Sequence, residues 1–125
     1  MPMISAQRDF LPRLSIRERQ SGDVTILDLE GNLIVGEESD KLSSTARRLI
    51  GEGKRKLLLN LAGVNYVDSN GIGIIVSILV ALGRAGGQLK LTSASPRVRE
   101  VLGVTRLLTI LDVYNDELTA LNDYR

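Results

Sequence analysis

The fold of the chain can be predicted outward from Tyr66-Val67-Asp68-Ser69-Asn70-Gly71-Ile72-Gly73, because this segment joins two apolar runs of different kinds. The run before it, residues 56–61, has the length of a buried strand. The run after it, residues 72–82, is almost wholly apolar and ends at a glycine-rich stop, which suits a three-turn helix better than a strand. The three polar residues between the runs are types that cap helix N-termini. We therefore predict a strand, a loop and a helix that begins at or just after Ser69.

The rest of the chain alternates strands with helices around this stretch. The other predicted elements are strands at 15–20 and 24–30, a turn at Gly31-Asn32, a short β segment at 33–35, a helix at 37–50, a strand at 88–92, a short helix at 97–102, a strand at 107–113 and a helix at 116–121. The first two strands should pair as an antiparallel hairpin. The fold class is then α/β, a mixed β-sheet with right-handed crossovers and about four α-helices. Residues 1–13 are predicted to be a tail and residues 14–125 a single domain.

The composition argues against several classes of function. A net charge of +1 gives no reason to expect nucleic acid or an acidic membrane as a partner. The chain has no cysteine and no histidine, so thiolate nucleophiles, cysteine metal sites and the commonest general base are missing. We expect no enzyme activity, no cofactor and no metal site. No stretch resembles a secretory signal or has the roughly 20 apolar residues of a membrane span, so we expect the cytoplasm.

The hydroxyl of Ser69 is a group in this stretch that could be phosphorylated. A helix start points several free backbone N–H groups outward and carries partial positive charge, so a hydroxyl there tolerates an added phosphate. Judged from residue types alone, capping the helix is the commoner role for such a serine. The two roles remain open at this point.

The helix after Ser69 is apolar nearly all round, with Ser77 as the polar break. A helix packed on one face of a sheet should have a solvated side. We therefore predict that Ile72, Ile75 or Leu79 forms part of an exposed apolar patch. Such a patch would contact a partner protein or a second copy of the chain in a homodimer.

Four segments of the chain together resemble a STAS domain. They are residues 31–33, 59–73, 86–91 and 96–102. The match covers about residues 14–121, and the chain is most similar to the single-domain anti-sigma-factor antagonists of bacteria. The most specific part of the resemblance is the Asp-Ser-x-Gly-x-Gly signature that follows a hydrophobic strand.

The resemblance implies a function. In that family the serine directly after the aspartate is phosphorylated by a partner kinase that is also the anti-sigma factor. Here that serine is Ser69, so the unphosphorylated protein would bind the anti-sigma kinase and free the sigma factor, and a serine phosphatase would restore binding. Many members carry a second hydroxyl where this chain has Asn70, and an acidic residue where it has Ile34. The residues predicted to contact the partner are Asp68, Ser69, Asn70, Gly71, Ile72, Ile75 and Leu79.

Two other interpretations stay open. One is a STAS subunit of a larger assembly, such as a stress-sensing complex or a lipid transporter, in which Ser69 need not be modified. The other is a flavodoxin-like receiver that accepts phosphate on Asp68, although the acidic pair expected after its first strand is not evident. Co-purification with a large particle would favour the first, and an acid-labile phosphate would favour the second.

Overall fold

The structure, a computed structural model, describes residues 14–124. In chain order these form strand β1 Ser15–Ser21, β2 Val24–Leu33, helix α1 Glu37–Gly51, β3 Lys56–Val67, α2 Ser69–Arg84, β4 Gln88–Thr92, α3 Pro96–Val104, a 3-10 helix Leu107–Thr109, β5 Asp112–Tyr114 and α4 Glu117–Leu121. The α/β class, the N-terminal hairpin and the four α-helices are confirmed. The tail predicted at residues 1–13 lies outside the described residues.

The five strands form one mixed sheet in the order β1-β2-β3-β4-β5. β1 runs antiparallel to β2, and the remaining neighbours are parallel. Because β2 and β3 point the same way, they end at the same edge, where Leu33 pairs with Val67. The loops that follow these two strands therefore lie side by side, and one of them carries Asp68.

The turn predicted at Gly31-Asn32 is wrong. β2 continues through both residues to Leu33, because β3 supplies a paired partner for each of them. A register irregularity between Gly31 and Asn32 accommodates the glycine, whose φ is 109°. The segment at 33–35 is therefore no separate strand, and β3 likewise runs to Val67 instead of ending at residue 61.

The strand predicted at 107–113 is also wrong over most of its length. Its first half is a 3-10 helix, and only β5 pairs with β4. Leu107 and Leu111 are buried about one helical turn apart, and the Leu111 N–H donates to the Leu107 carbonyl at 2.8 Å. Leu108 and Ile110 between them are exposed. The run therefore lacks the strict alternation of buried and exposed positions that a strand requires.

The two faces of the sheet are covered unequally. The main core lies between the sheet and the helices α1, α2 and α3, and it includes Leu42, Ala46 and Leu49 of α1. On the other face a small buried cluster lies around α4, formed by Val24, Ile26, Leu58 and Ala120. The helices that position the β2 and β3 edge therefore belong to the larger core.

The solvated side of α2 is made of small residues. Its exposed positions include Ser69, Gly73, Ser77, Val80 and Arg84, which recur at helical spacing. Val80 is the large apolar residue among them and is 45% exposed. Glycine and serine residues thus form most of the solvent-exposed face of this helix, which its mostly apolar composition does not reveal.

Candidate functional site

Ser69 is the first residue of α2, and it is exposed. The prediction of a helix beginning at or just after this residue is confirmed. In this position the backbone N–H groups of Ser69 and Asn70 have no intrahelical acceptor. Within residues 14–124 the Ser69 hydroxyl makes no hydrogen bond. The hydroxyl therefore stands free beside unpaired backbone donors.

Asp68, and not Ser69, caps this helix. One carboxylate oxygen of Asp68, Oδ1, accepts a hydrogen bond from the Gly71 N–H at 2.8 Å. The other, Oδ2, accepts one from the Val35 N–H at 3.0 Å. The Asp68 N–H in turn donates to the Leu33 carbonyl at 3.2 Å. One residue thus ties the end of β2 to the start of α2, and the cap leaves the serine hydroxyl unused.

Gly71 brings the helix directly onto the backbone of β2. A Cβ atom at this position would lie 2.1 Å from the Leu33 carbonyl oxygen, far inside any allowed contact. A Cβ atom at Gly73 would meet nothing within 4 Å. Of the two signature glycines, Gly71 is therefore required, because the helix backbone passes close to the backbone of β2 at Leu33. This contact sets how close the start of α2, with Ser69, lies to the sheet edge.

The structure distributes the predicted contact residues over different environments. Asn70 is half-buried, and its Nδ2 atom is buried without a hydrogen-bond partner among the described residues. Ile72 and Leu79 are half-buried and pack against the main core. Ile75 is 0% exposed, so the prediction that it contributes to an exposed patch is wrong. Gly71 is also buried, and the Ile75 side chain points into the core because it lies on the α2 face opposite the solvated stripe.

Two exposed apolar residues at this edge, Val35 and Tyr66, were not among the predicted contact residues. Val35, two residues after the end of β2, is 72% exposed, and its N–H donates to Oδ2 of Asp68. Tyr66, paired in register with Asn32 near the end of β3, is 44% exposed. The signal for Val35 in the sequence is its place directly before Gly36, the N-cap of α1.

The loop after β2 leads into an acidic helix start. The first turn of α1 holds Glu37, Glu38 and Asp40. Carboxylates are favoured there by the helix dipole. This helix start follows Val35, whose N–H donates to Asp68.

A separate charged group lies on the β1–β2 part of the sheet. Arg19 donates to both carboxylate oxygens of Asp28, at 2.7 and 3.0 Å, and also to Glu117 of α4. The Asn60 amide donates to Asp28 at 2.8 Å. The hydrogen bonds from Arg19, reinforced by Asn60, hold the pKa of Asp28 below its usual value against the effect of burial. These charges satisfy one another and serve to join β1, β2 and α4.

The described part of the chain holds no group of three or more His, Cys, Asp or Glu side chains able to bind a metal ion. None of the helices in residues 14–124 is long and apolar enough to cross a membrane.

The carboxylate next to Ser69, on Asp68, has both oxygens engaged by backbone N–H groups. The arrangement therefore presents an accessible hydroxyl beside a carboxylate that two backbone N–H groups already engage.

The sequence is similar to a known protein family. The family model described as the STAS domain matches residues 15–120. A Thermotoga neapolitana protein, provisionally named as an anti-sigma factor antagonist, is 36% identical over 74 residues, which cover 59% of this chain and 66% of that protein. The aligned part therefore spans slightly less than two thirds of that relative.

Two solved structures share the fold over most of their length. The crystal structure of a Thermotoga maritima protein, also provisionally named as an anti-sigma factor antagonist, has a TM-score of 0.73 and 26% identity, and it covers 88% of this chain and 94% of its own. The Bacillus cell fate determinant SpoIIAA in its phosphorylated form has a TM-score of 0.70, with 86% and 97% covered. Its identity is 18%, so this second likeness concerns the fold alone.

Proposed function

This chain belongs to the STAS domain family, and we propose that it is an anti-sigma factor antagonist whose binding is controlled by phosphorylation of Ser69. The unphosphorylated form binds an anti-sigma factor that is also a serine kinase, and the bound sigma factor is released. Transfer of phosphate to Ser69 ends the complex, and a serine phosphatase restores the binding form. These partners act in the cytoplasm, which is the proposed location.

The observation that supports this proposal most directly is the free hydroxyl of Ser69. Serine at a helix start ordinarily caps the helix, and a capping hydroxyl would be engaged with a backbone N–H. Here Asp68 supplies the cap through Oδ1, and Ser69 is exposed. A kinase can therefore reach the hydroxyl without first breaking a structural hydrogen bond.

Helix geometry explains how the fold would survive modification. A phosphoserine carries about −1.5 to −2 charge at pH 7 and offers three acceptor oxygens. The unpaired N–H groups of the first turn and the positive end of the helix dipole stabilise such a group. The domain should therefore keep its structure when Ser69 is phosphorylated.

The same charge would be unfavourable beneath a bound partner. A protein that packs over Ser69 and Val35 removes water from this edge, and an uncompensated charge buried there costs several kcal/mol. The carboxylates of Asp68 and of the α1 start add repulsion. Since about 1.4 kcal/mol already changes affinity tenfold, one phosphate is enough to end binding without refolding the domain.

The geometry also favours serine over aspartate as the phosphate acceptor. Both carboxylate oxygens of Asp68 accept backbone hydrogen bonds, from Val35 and from Gly71. An acyl phosphate on Asp68 would break the cap and the link to β2. A phosphate that survives acid treatment would agree with Ser69, whereas an acid-labile one would point to Asp68.

The proposal is tested by incubating the full chain with ATP and each candidate anti-sigma serine kinase of its host. We expect the wild type to be labelled once and Ser69→Ala to remain unlabelled while still binding the kinase. Ser69→Asp should fold normally and bind at least about tenfold more weakly, because it places a charge in the interface. Thermal unfolding and titration calorimetry give the two readouts.

A matched variant tests whether the position of the added negative charge, and not the charge alone, weakens binding. Thr119→Asp adds a carboxylate to the first turn of another exposed helix, α4. It should leave kinase affinity unchanged. Undiminished affinity of Ser69→Asp, or equal weakening by Thr119→Asp, would contradict the proposed mechanism.

A further inference from the structure

The outer sides of α1 and α2 lie next to each other above the main core and are open to solvent. We call them together the helical face and define it by its exposed residues, namely Asp40, Ser44, Arg47, Ser69, Gly73, Ser77, Val80 and Arg84. Val80 is 45% exposed. A shallow groove between the two helices adds apolar surface, from Ala46, Ile50, Ile78 and Ala81 among others. An exposed valine beside an apolar groove makes the helical face a candidate for contact with another protein.

The charges on the helical face are separated along the helix axes. β2, β3 and β4 are parallel, so α1 and α2 both run from the carboxyl edge of the sheet to its opposite edge. Asp40 lies in the first turn of α1, and Asp68 caps the start of α2. Arg47 lies near the end of α1, and Arg84 ends α2. Among residues 14–124 the side chains of Asp40, Arg47 and Arg84 form no ion pair. An antiparallel copy would therefore place the basic end of one face over the acidic end of the other.

The exposed residues of α2 are placed symmetrically about the middle of the helix. A two-fold axis perpendicular to α2, passing between residues 76 and 77, would set Ser69 opposite Arg84 of a second copy. The same axis would set Gly73 opposite Val80 of that copy. No described residue lies within 4 Å of a Cβ atom built at Gly73, so no contact among residues 14–124 requires glycine there. A valine packed on this position from a second copy would make use of the missing side chain.

The exposed residues of α1 fit the same axis. An axis between residues 43 and 44 would set Asp40 opposite Arg47 of the second copy. Ser43 and Ser77 line the same groove, so the midpoints of the two patterns lie at the same height along the helices. One two-fold axis therefore pairs complementary groups on both helices. Such self-complementarity favours a second copy of this chain as the occupant.

We propose that the helical face is the interface of a two-fold dimer, in which α1 and α2 of one copy lie antiparallel to the same helices of the other. Val80 of each copy packs on Gly73 of the other, and Arg84 of each lies beside Ser69 of the other. The face measures roughly 24 Å by 20 Å, because α2 has 16 residues and neighbouring helix axes lie about 10 Å apart. This size is near the lower limit for a specific interface, so the dimer should be weak and reversible.

The dimer goes beyond the proposed function, since none of the observations behind it involves a kinase. It would nevertheless affect the same serine. A phosphate on Ser69 would face Arg84 of the second copy, and arginine binds phosphate oxygens through charge-assisted hydrogen bonds. Phosphorylation should therefore tighten the dimer.

Sedimentation equilibrium of the full chain over a range of concentrations tests the interface. We expect the wild type to dimerise reversibly below about 1 mM. Val80→Asp should weaken the dimer at least about tenfold, because it places a charge where Val80 packs on the second copy. Val104→Asp is the matched control and should leave the dimer unchanged, since Val104 is 79% exposed but lies on α3. A wild type that stays monomeric up to that concentration, or equal effects of the two variants, would overturn the proposal.

Charge variants test the pairing of Ser69 with Arg84. Ser69→Asp should tighten the dimer about threefold or more, because each of the two symmetric pairs gains an attraction. Arg84→Glu should weaken the Ser69→Asp dimer by a larger factor than it weakens the wild-type dimer. If Ser69→Asp is no tighter than the wild type, or if Arg84→Glu has the same effect in both backgrounds, the two residues are not opposite each other and the proposed dimer is wrong.

Disulfide cross-linking tests the antiparallel orientation, because the chain contains no native cysteine. Ser77 lies next to the proposed axis, so Ser77→Cys should cross-link to itself under mild oxidation. Ser69→Cys should not, since the two copies of residue 69 would be about 22 Å apart, beyond the reach of a disulfide. Thr119→Cys, on the exposed side of α4, should also stay unlinked. Rapid self-linking of Ser69→Cys, or none of Ser77→Cys, would contradict the antiparallel dimer.

None of these measurements uses a kinase or ATP. A monomeric chain would therefore leave the proposed phosphorylation of Ser69 untouched. A chain that no kinase labels would likewise leave the sedimentation and cross-linking results standing.

Discussion

The position of Ser69 depends on one residue that has no side chain. Gly71 lets α2 approach the Leu33 carbonyl so closely that a Cβ atom would lie 2.1 Å from its oxygen. Gly71→Ala should lower the free energy of unfolding by about 2–3 kcal/mol, because either the helix or β2 must move. Denaturant unfolding measures this change.

Gly73 provides the matched control, since it is exposed and its Cβ would meet nothing within 4 Å. Gly73→Ala should raise stability by about 0.5–1 kcal/mol, because alanine restricts the unfolded chain more than glycine does. Similar effects of the two alanine variants would show that the contact with Leu33 does not fix the helix.

At the scale of elements, α4 is too short to be stable alone and depends on its attachments. Lys90, 3% exposed, donates from Nζ to Asp112 and Tyr114 at 3.1 Å and lies 5.2 Å from the centroid of the Tyr124 ring. Tyr124 in turn donates to the Leu57 carbonyl. We therefore expect Lys90→Met to destabilise the fold by about 1–3 kcal/mol.

The expected signature of Lys90→Met is faster amide hydrogen exchange in α4 than in α2. Lys56→Met is the control, because Lys56 pairs with Asp23, whose side chain is 73% exposed. Such a pair contributes less than about 1 kcal/mol. If Lys90→Met and Lys56→Met show the same hydrogen-exchange pattern, Lys90 does not hold α4 on the sheet.

For the whole molecule, the shifted carboxylate pKa values predict how the free energy of unfolding changes as the pH falls. Hydrogen bonds from Arg19 lower the pKa of Asp28. A folded-state pKa below the unfolded value, near 4, means that ionised Asp28 stabilises the fold above about pH 4 and that this stabilisation is lost as pH falls further. Asp28→Asn should therefore be less stable than wild type at pH 7 and show a shallower loss between about pH 5 and 2.

Unfolding by urea across that pH range measures the effect. Asp23→Asn is the comparison, since its partner Lys56 also lowers the pKa of Asp23 but the carboxylate is far more exposed. Its pH profile should follow the wild type closely. A wild-type slope in Asp28→Asn would mean that other groups govern acid unfolding.

Much of the fold could be predicted because the deciding signals are local. The change from a strand-length apolar run to a helix-length one, with cap-forming residues between them, places a strand before Asp68 and a helix from Ser69. The failures at Gly31-Asn32 and at 107–113 have a tertiary cause. β3 supplies hydrogen-bond partners that carry β2 through its apparent turn, and the core selects Leu107 and Leu111 at helical spacing.

The local pattern of residues is enough to predict that three adjacent polar residues stand at a helix start, because capping depends on groups only two or three positions apart. Which of the three caps the helix depends on the folded chain. Asp68 caps the helix because one of its oxygens accepts from the Gly71 N–H while the other accepts from the Val35 N–H, just past the end of β2. Nothing local sets the distance between positions 35 and 68. The exposure of Val35 and the freedom of the Ser69 hydroxyl therefore follow from the pairing of β2 with β3.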